Sequence, residues 1–438
     1  MALEVAFSDK KVTPWGGLIL MKELLDRTGI REKLKLLDLP ESHSNNSIDS
    51  LTIVESFFAA VWIGATAFSQ TAVIKLDDTV KEIFGWKRIP SGTTFGRFFK
   101  KFSWEQNNRI FPELNQWFFN QVQLKNYTLD VDSSVITRYG TGEGSLVGYN
   151  PKKHGRASHH PLFAFVSELR MVANCWLRSG DTASATNIIG FLEETLAILK
   201  DKTIGLFRAD SGFASNTVFE YLEQSQIPYV IAGRMHAVLQ YQIKDIKNWI
   251  AIGEGIWISE IEYKAARWKQ ARRIVVIRQD VEVRPKATGK KLKKLFDDTL
   301  YYQHYRYHSF ITNQTLPAQQ IWEQYKERAD AENRLQELKY DFALEGFNMK
   351  EFFATEAAMR MITIAYNLMS LYKHVTSQTT AQQRLHSIRI NCFAVGGWIV
   401  KQGTKRILKL AVRIEKRPWM EGLLKIVRDV GLPLSLKT

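Results

Sequence analysis

Tyr127-Thr-Leu-Asp130-Val-Asp132-Ser-Ser-Val-Ile136 is the stretch on which the fold turns. Apolar and β-branched residues alternate here with a period of two, which predicts a strand with Asp130 and Asp132 on one face. A Gly-rich, basic loop follows, from Tyr139-Gly140 to Arg156. Strands are then expected at 161–166 and 171–177, a helix from 181 or 182 to about 199, and a strand at 204–209. A helix at 216–225 and a strand at 228–232 complete the pattern. The order βββαβαβ describes a mixed-sheet α/β domain, not an unbroken parallel βα series.

Beyond residue 235 the rhythm changes. Strands expected at 256–263, 273–278 and 301–311 surround a basic run at 286–294, so a β-rich insertion interrupts the α/β pattern. Helices resume at 318–340 and 355–373. On the N-terminal side, apolar residues recur at helical spacing over 51–63 and 69–84. Ile89-Pro-Ser-Gly-Thr-Thr-Phe95 then offers a turn and a helix start, and Phe95, Phe98, Phe99 and Phe102 form a stripe. With Arg97, Lys100 and Lys101 on other faces, this is either a helix-turn-helix DNA reader or a bundle with a solvated basic face. The expected domains are an N-terminal helical DNA-binding domain (1–120), a core in two parts (121–235 and 315–375), the insertion (236–314) and a basic helical C-terminal region (376–438).

Of the 438 residues, 45% are hydrophobic and 24% charged, which excludes a disordered or collagen-like chain. The 60 Lys and Arg outnumber the 45 Asp and Glu, a formal net charge of +15. That excess points to a polyanionic partner, nucleic acid first, and speaks against a hydrolase of small phosphoesters. Cys175 and Cys392 stand in apolar contexts without metal-ligand spacing, so buried free thiols are expected. Residues 56–74 carry no charge, but Gly64 and the polar Thr66, Ser69, Gln70 and Thr71 favour two short buried helices over a membrane span. A soluble, cytoplasmic protein is expected.

Asp210 follows a strand, where ligands of α/β sheets gather, although a lone Asp there is commonly a helix cap. On the expected helix 318–340, Tyr325, Arg328, Glu332 and Lys339 fall at steps of three, four and seven and so share one stripe. Lys152, Lys153, His154 and Arg156, with His159 and His160, are candidates for clamping DNA or for a solvated loop. Lys264, Arg267, Lys269, Arg272 and Arg273 could form a phosphate track. Trp257 and Trp268 read best as packing residues.

Taken in order, Asp132-Ser-Ser134, Arg208-Ala-Asp210-Ser-Gly-Phe213 and the Tyr325, Arg328, Glu332, Lys339 spacing resemble the three motifs of bacterial insertion-sequence transposases of the DDE type. Ala329-Asp-Ala-Glu-Asn-Arg334 and Tyr149-Asn-Pro-Lys-Lys153 are similar to one subgroup of them. The resemblance implies an RNase H-like core in which Asp132, Asp210 and Glu332 are catalytic and hold Mg²⁺, with Mn²⁺ able to substitute. Asp130 competes for the first position; Asp132 is chosen because Ser133 matches the small hydroxyl residue that follows it in the family. Tyr325, Arg328 and Lys339 are then implied to grip phosphates beside the ions, and Lys152, Lys153 and Arg156 to contact DNA. The implied activity is cleavage at transposon ends and joining of 3′ ends to target DNA, by a homodimer on double-stranded DNA in a bacterial nucleoid. A DNA-binding derivative without catalysis is the alternative.

Overall fold

The computed structural model describes residues 3–42, 44, 46–280, 301–302, 305–377 and 383–435. The basic run 286–294 lies outside them. Five strands build the core: β1 (Asn126–Ser133), β2 (Leu162–Val166), β3 (Met171–Trp176), β4 (Thr203–Ala209) and β5 (Tyr229–Ala232). They lie side by side in the order β3-β2-β1-β4-β5. β2 runs antiparallel to both neighbours, while β1, β4 and β5 are parallel. This is the mixed-sheet arrangement expected of an RNase H-like core.

The inserted strands are β6 (Ile250–Gly253), β7 (Ile256–Tyr263), β8 (Arg272–Asp280) and β9 (Tyr305–Thr312). They extend the same sheet: β9 pairs antiparallel with β5, and β8, β7 and β6 follow outward. Val230, Val275, Ile277 and Phe310 bury one face of this junction with Ile321 from the helix that follows.

The main helices are α1 (Ser50–Ile63), α2 (Gly92–Phe99), α3 (Ile188–Leu199), α4 (Asn216–Gln224), α5 (Ala318–Lys326), α6 (Ala329–Tyr340), α7 (Phe352–Thr376) and α8 (Arg417–Asp429). The 25-residue α7 is buried on nearly every side between β3 and the N-terminal helices. Asn367 of α7 accepts from Val172 N–H and donates to Val172 O, both at 2.8 Å, which satisfies the outer edge of β3. Trp62 of α1 donates to Ala365 O at 3.1 Å. The N-terminal helices thus share one continuous core with the sheet.

The Phe stripe of α2 is packing surface. Phe95, Phe98, Phe99 and Phe102 are buried, with the Phe57 and Phe99 rings 5.0 Å apart. Each such ring contributes about 1.5–3 kcal/mol of burial. Lys100 pairs with Glu351 and Lys101 with Glu41 O, and Arg97 of this basic set is exposed. Among the described residues no single helix is long and apolar enough to cross a membrane; the uncharged stretch 56–74 bends by 100° between α1 and the turn that follows. Cys175 and Cys392 are free and buried.

Three expectations need correction. The helix expected from residue 182 begins only at Ile188, because Asn187 adopts a left-handed conformation (φ 56°). The helix expected over 318–340 is broken at Glu327-Arg328, where the backbone bonds tighten from i+4 to i+3 spacing. The C-terminal region is not simply helical: Gly397–Gln402 and Lys405–Leu410 form an antiparallel hairpin ahead of α8. Its two-residue turn holds Gly403 at φ 60°, where a Cβ would be strained.

Candidate active site

Register brings the first two acids together. In the parallel β1–β4 pair Asp130 lies opposite Arg208 and Val131 opposite Ala209, so one further step sets Asp132 beside Asp210 at the carboxyl ends. Alternation places Asp130 and Asp132 on the same face, toward α5 and α6. Their environments differ sharply. Asp130 is fully buried, and both its oxygens accept from Arg208, Nε to Oδ1 at 2.6 Å and Nη2 to Oδ2 at 3.0 Å. Arg208 also donates to Gln324 O at 2.6 Å and Ser167 Oγ at 3.0 Å. Asp130 is therefore a clamp between two strands and the start of the α5–α6 break.

Asp132, one pleat further on, has no such fixed partner. Its Oδ1 accepts from Ser133 N–H at 2.9 Å and lies 3.2 Å from Arg328 Nη2. Burial pushes its carboxyl up to about 6, opposed by Arg328 and reinforced by repulsion from Asp210 and Glu332. Asp210 is half-buried, and its Oδ1 accepts from Gly212 N–H at 2.8 Å. A Cβ on Gly212 would stand 2.9 Å from that same oxygen and 3.0 Å from Ser184 Oγ, so a larger residue there would displace the Asp210 carboxylate or Ser184. Glu332, in the first turn of α6, keeps a largely exposed side chain 3.7 Å from Arg328 Nη1.

Tyr325 packs its ring on Phe310, centroids 4.5 Å apart, and burial raises its phenol above the ordinary value. Asp210, Glu332 and Arg328 act electrostatically on both Asp132 and Tyr325, so five of the proposed site residues lie in one neighbourhood. Lys339 is placed differently. Its Nζ donates to Val135 O at 3.0 Å and pairs with Glu345 at 3.2 Å, tethering the chain just beyond β1.

Lys152, Lys153 and Arg156 are exposed on the loop between β1 and β2. Asn150 organises the loop, accepting from Lys153 N–H and donating to Thr137 Oγ1, both at 3.0 Å. Lys153 and Arg156 also lie over the Tyr139 ring. Arg272 is not part of a phosphate track: it is buried, bonded through Nε to Glu223 at 2.6 Å and stacked against Phe219 and Trp268. Arg273 and Lys269 are likewise paired, with Glu260 and Glu220. Trp257 lies with Trp249 and Tyr305 around Arg278, centroids 4.5–5.0 Å from the guanidinium.

The two histidines are buried, not part of a solvated loop. Arg138 Nε donates to His159 Nδ1 at 2.9 Å, so Nε2 carries the proton and donates to Glu143 O at 2.9 Å. His160 Nδ1 is bonded to Thr182 O at 3.0 Å. Burial lowers His159 to about 4, so the fold needs it neutral. An unfolded histidine takes up its proton near 6.5, so this stability is complete above that pH and is lost as pH falls toward 4. Between pH 7 and 5 His159 alone should contribute a loss of about 2 kcal/mol, read in urea unfolding as the difference between wild type and His159→Gln, because the raised Asp132 carboxyl acts in the opposite sense over that range.

Sequence reasoning missed two supports. Buried Arg178 donates through Nη1 to Ala183 O, Ser184 O and Thr186 O at 3.0–3.1 Å, fixing the loop ahead of α3. Ser184 Oγ in that loop meets Ser133 Oγ at 3.0 Å, directly beside Asp132. Neither forms a local motif, so only the register of distant strands reveals them.

Residues 1–431 match the family described as transposase DDE domain group 1. The chain belongs to that family. This DDE transposase is also similar to piggyBac transposase, solved by cryo-EM as a synaptic complex with hairpin DNA. That likeness is 12% identity over 88% of this chain and 82% of the other, with a TM-score of 0.47. No curated protein matches the sequence. DDE transposases generally use divalent metal ions, and the donor set of this transposase suits them in kind: carboxylate oxygens that repel one another when unpaired. Among the described residues, however, no three acids stand close enough to share an ion. The Arg328 guanidinium lies between Asp132 and Glu332 instead.

Proposed function

We propose that this DDE transposase cleaves DNA at the terminal inverted repeats of an insertion sequence and joins the 3′ ends to target DNA. The observation that carries the reading is the register that sets Asp132 beside Asp210 with Glu332 facing them from α6. Asp132, Asp210 and Glu332 would hold Mg²⁺, with Mn²⁺ able to replace it. Ions bound there would supply Lewis acidity and ease deprotonation of an attacking water or 3′-hydroxyl.

The chain's own residues do the positioning. Gly212 N–H holds one carboxylate oxygen of Asp210 and Ser133 N–H one of Asp132, and the second oxygen of each would serve an ion. Arg328 presents a guanidinium suited to a phosphate, and Tyr325 backs it from the β9 side. Lys152, Lys153 and Arg156 would follow the backbone of double-stranded DNA away from the scissile bond. Lys339 would serve by anchoring the chain after β1. A homodimer is proposed, so that two ends are processed together.

Glu332→Ala tests the assignment. Its side chain is largely exposed, so the fold should persist and binding to terminal DNA should stay near wild type while nicking in Mg²⁺ is abolished. Nicking at the wild-type rate would remove Glu332 from the site. Wild-type affinity for DNA should fall by about 10³-fold or more between 50 and 200 mM salt if six or more phosphates are neutralised. A flat response in a filter-binding assay would contradict the DNA reading.

A further inference from the structure

Arg328 stands where a bridging cation would stand. Its side chain is almost wholly buried, with Nη2 3.2 Å from Asp132 Oδ1 and Nη1 3.7 Å from Glu332 Oε1. The contact with Asp132 is one of charge without direction: Nε and Nη2 are buried and make no hydrogen bond. The neighbouring guanidinium of Arg208 is the contrast, fixed by hydrogen bonds to Asp130, Ser167 and Gln324. The backbone beneath Arg328 is also atypical. It sits at the break between α5 and α6, where Arg328 N–H bonds Tyr325 O at 3.0 Å and Ala331 N–H bonds Arg328 O at 2.9 Å. Glu332, the more exposed of its two partners, is free to turn with it.

Resting on the reading of these acids as a metal centre, we propose that Arg328 is a resident counter-ion. Its guanidinium balances Asp132 and Glu332 while the centre is empty and must withdraw before the acids close on a divalent ion. A single delocalised charge without directed bonds is a weak competitor for a dication, so displacement is feasible. The withdrawn guanidinium is then available to a DNA phosphate. Metal loading and phosphate gripping are thereby coupled through one side chain.

The prediction concerns affinity, not turnover. If the blocked arrangement dominates, apparent metal affinity is reduced by the fraction of chains left open. Mn²⁺ binding to the full chain without DNA, followed by calorimetry, should therefore be about tenfold tighter in Arg328→Gln than in wild type. Arg328→Lys, whose shorter point charge cannot span both acids, should bind roughly two- to threefold tighter. The lysine variant decides the matter if the glutamine variant does not fold. A purely structural role for Arg328 would leave affinity unchanged or weaken it, and variants that bind Mn²⁺ no tighter than wild type overturn the proposal. Wild-type binding that Asp210→Asn leaves intact would instead overturn the metal centre itself, and this inference with it.

Discussion

Asp132→Asn should lose strand cleavage by ~10³-fold or more while the folded chain becomes no less stable above pH 6. The two effects separate because the charge on Asp132 serves the site at the expense of the fold. Its carboxyl, raised to about 6 by burial, is ionised at neutral pH against the preference of its surroundings. An unfolded aspartate ionises near 4, so as pH rises from 4 to 6 the unfolded chain gives up its proton first and stability falls; above 6 the deficit is constant. Asparagine is neutral throughout and can still accept from Ser133 N–H through its amide oxygen. The variant should therefore gain about 1–3 kcal/mol over wild type at pH 8 and nothing at pH 4. Asp210→Asn should be as inactive, with Gly212 N–H still satisfied. Urea unfolding at both pH values, beside a nicking assay on terminal DNA, checks the pair. Full cleavage by Asp132→Asn would dismiss it from the chemistry.

Arg208→Met should produce the opposite pattern, a loss of about 3–5 kcal/mol in stability. Arg208 and Asp130 are both essentially without solvent contact, so removing one leaves the other as an uncompensated charge in the interior. The loss extends to the bonds from Arg208 to Gln324 O and Ser167 Oγ, which tie β4 to α5 and to the β2–β3 turn. Asp130→Asn should fall in the same range, and replacing both residues by apolar ones should cost less than either single change. A double-mutant cycle by urea denaturation measures all of this; additive effects would mean the pair is not coupled.

Much of this was legible in residues 127–136, because alternation in a strand is a local property. So was the turn at Asp210-Ser-Gly; the close approach of Asp210 Oδ1 and Ser184 to Gly212 was not. Ser133 was a local cue for Asp132, but the structural role that sets Asp130 apart was not local. It depends on Arg208, which is next to Asp130 only through the register of two strands 78 residues apart. The break at Glu327-Arg328 was hidden for the converse reason: the side-chain spacing of 318–340 runs through it unchanged, while the backbone tightens beneath. The C-terminal hairpin did carry a signal, a Gly-Thr pair between two short runs that each hold apolar residues, Trp398-Ile-Val400 and Ile407-Leu408. Its many Lys, Arg and Leu residues, all good helix formers, masked it. Pairing of the inserted strands with β5 is a long-range fact that no window of sequence contains.

That pairing has a mechanical consequence. Backbone ladders run from β6, past one bulge at Ala251–Gly253, through β7, β8, β9 and β5 to β4, the strand that Asp210 follows. Ladders of this kind resist shear, so the outer strands would move together with the strand that carries the proposed site. Torque from a duplex leaning on those strands would tilt one carboxylate relative to Glu332, which rides on a separate helix.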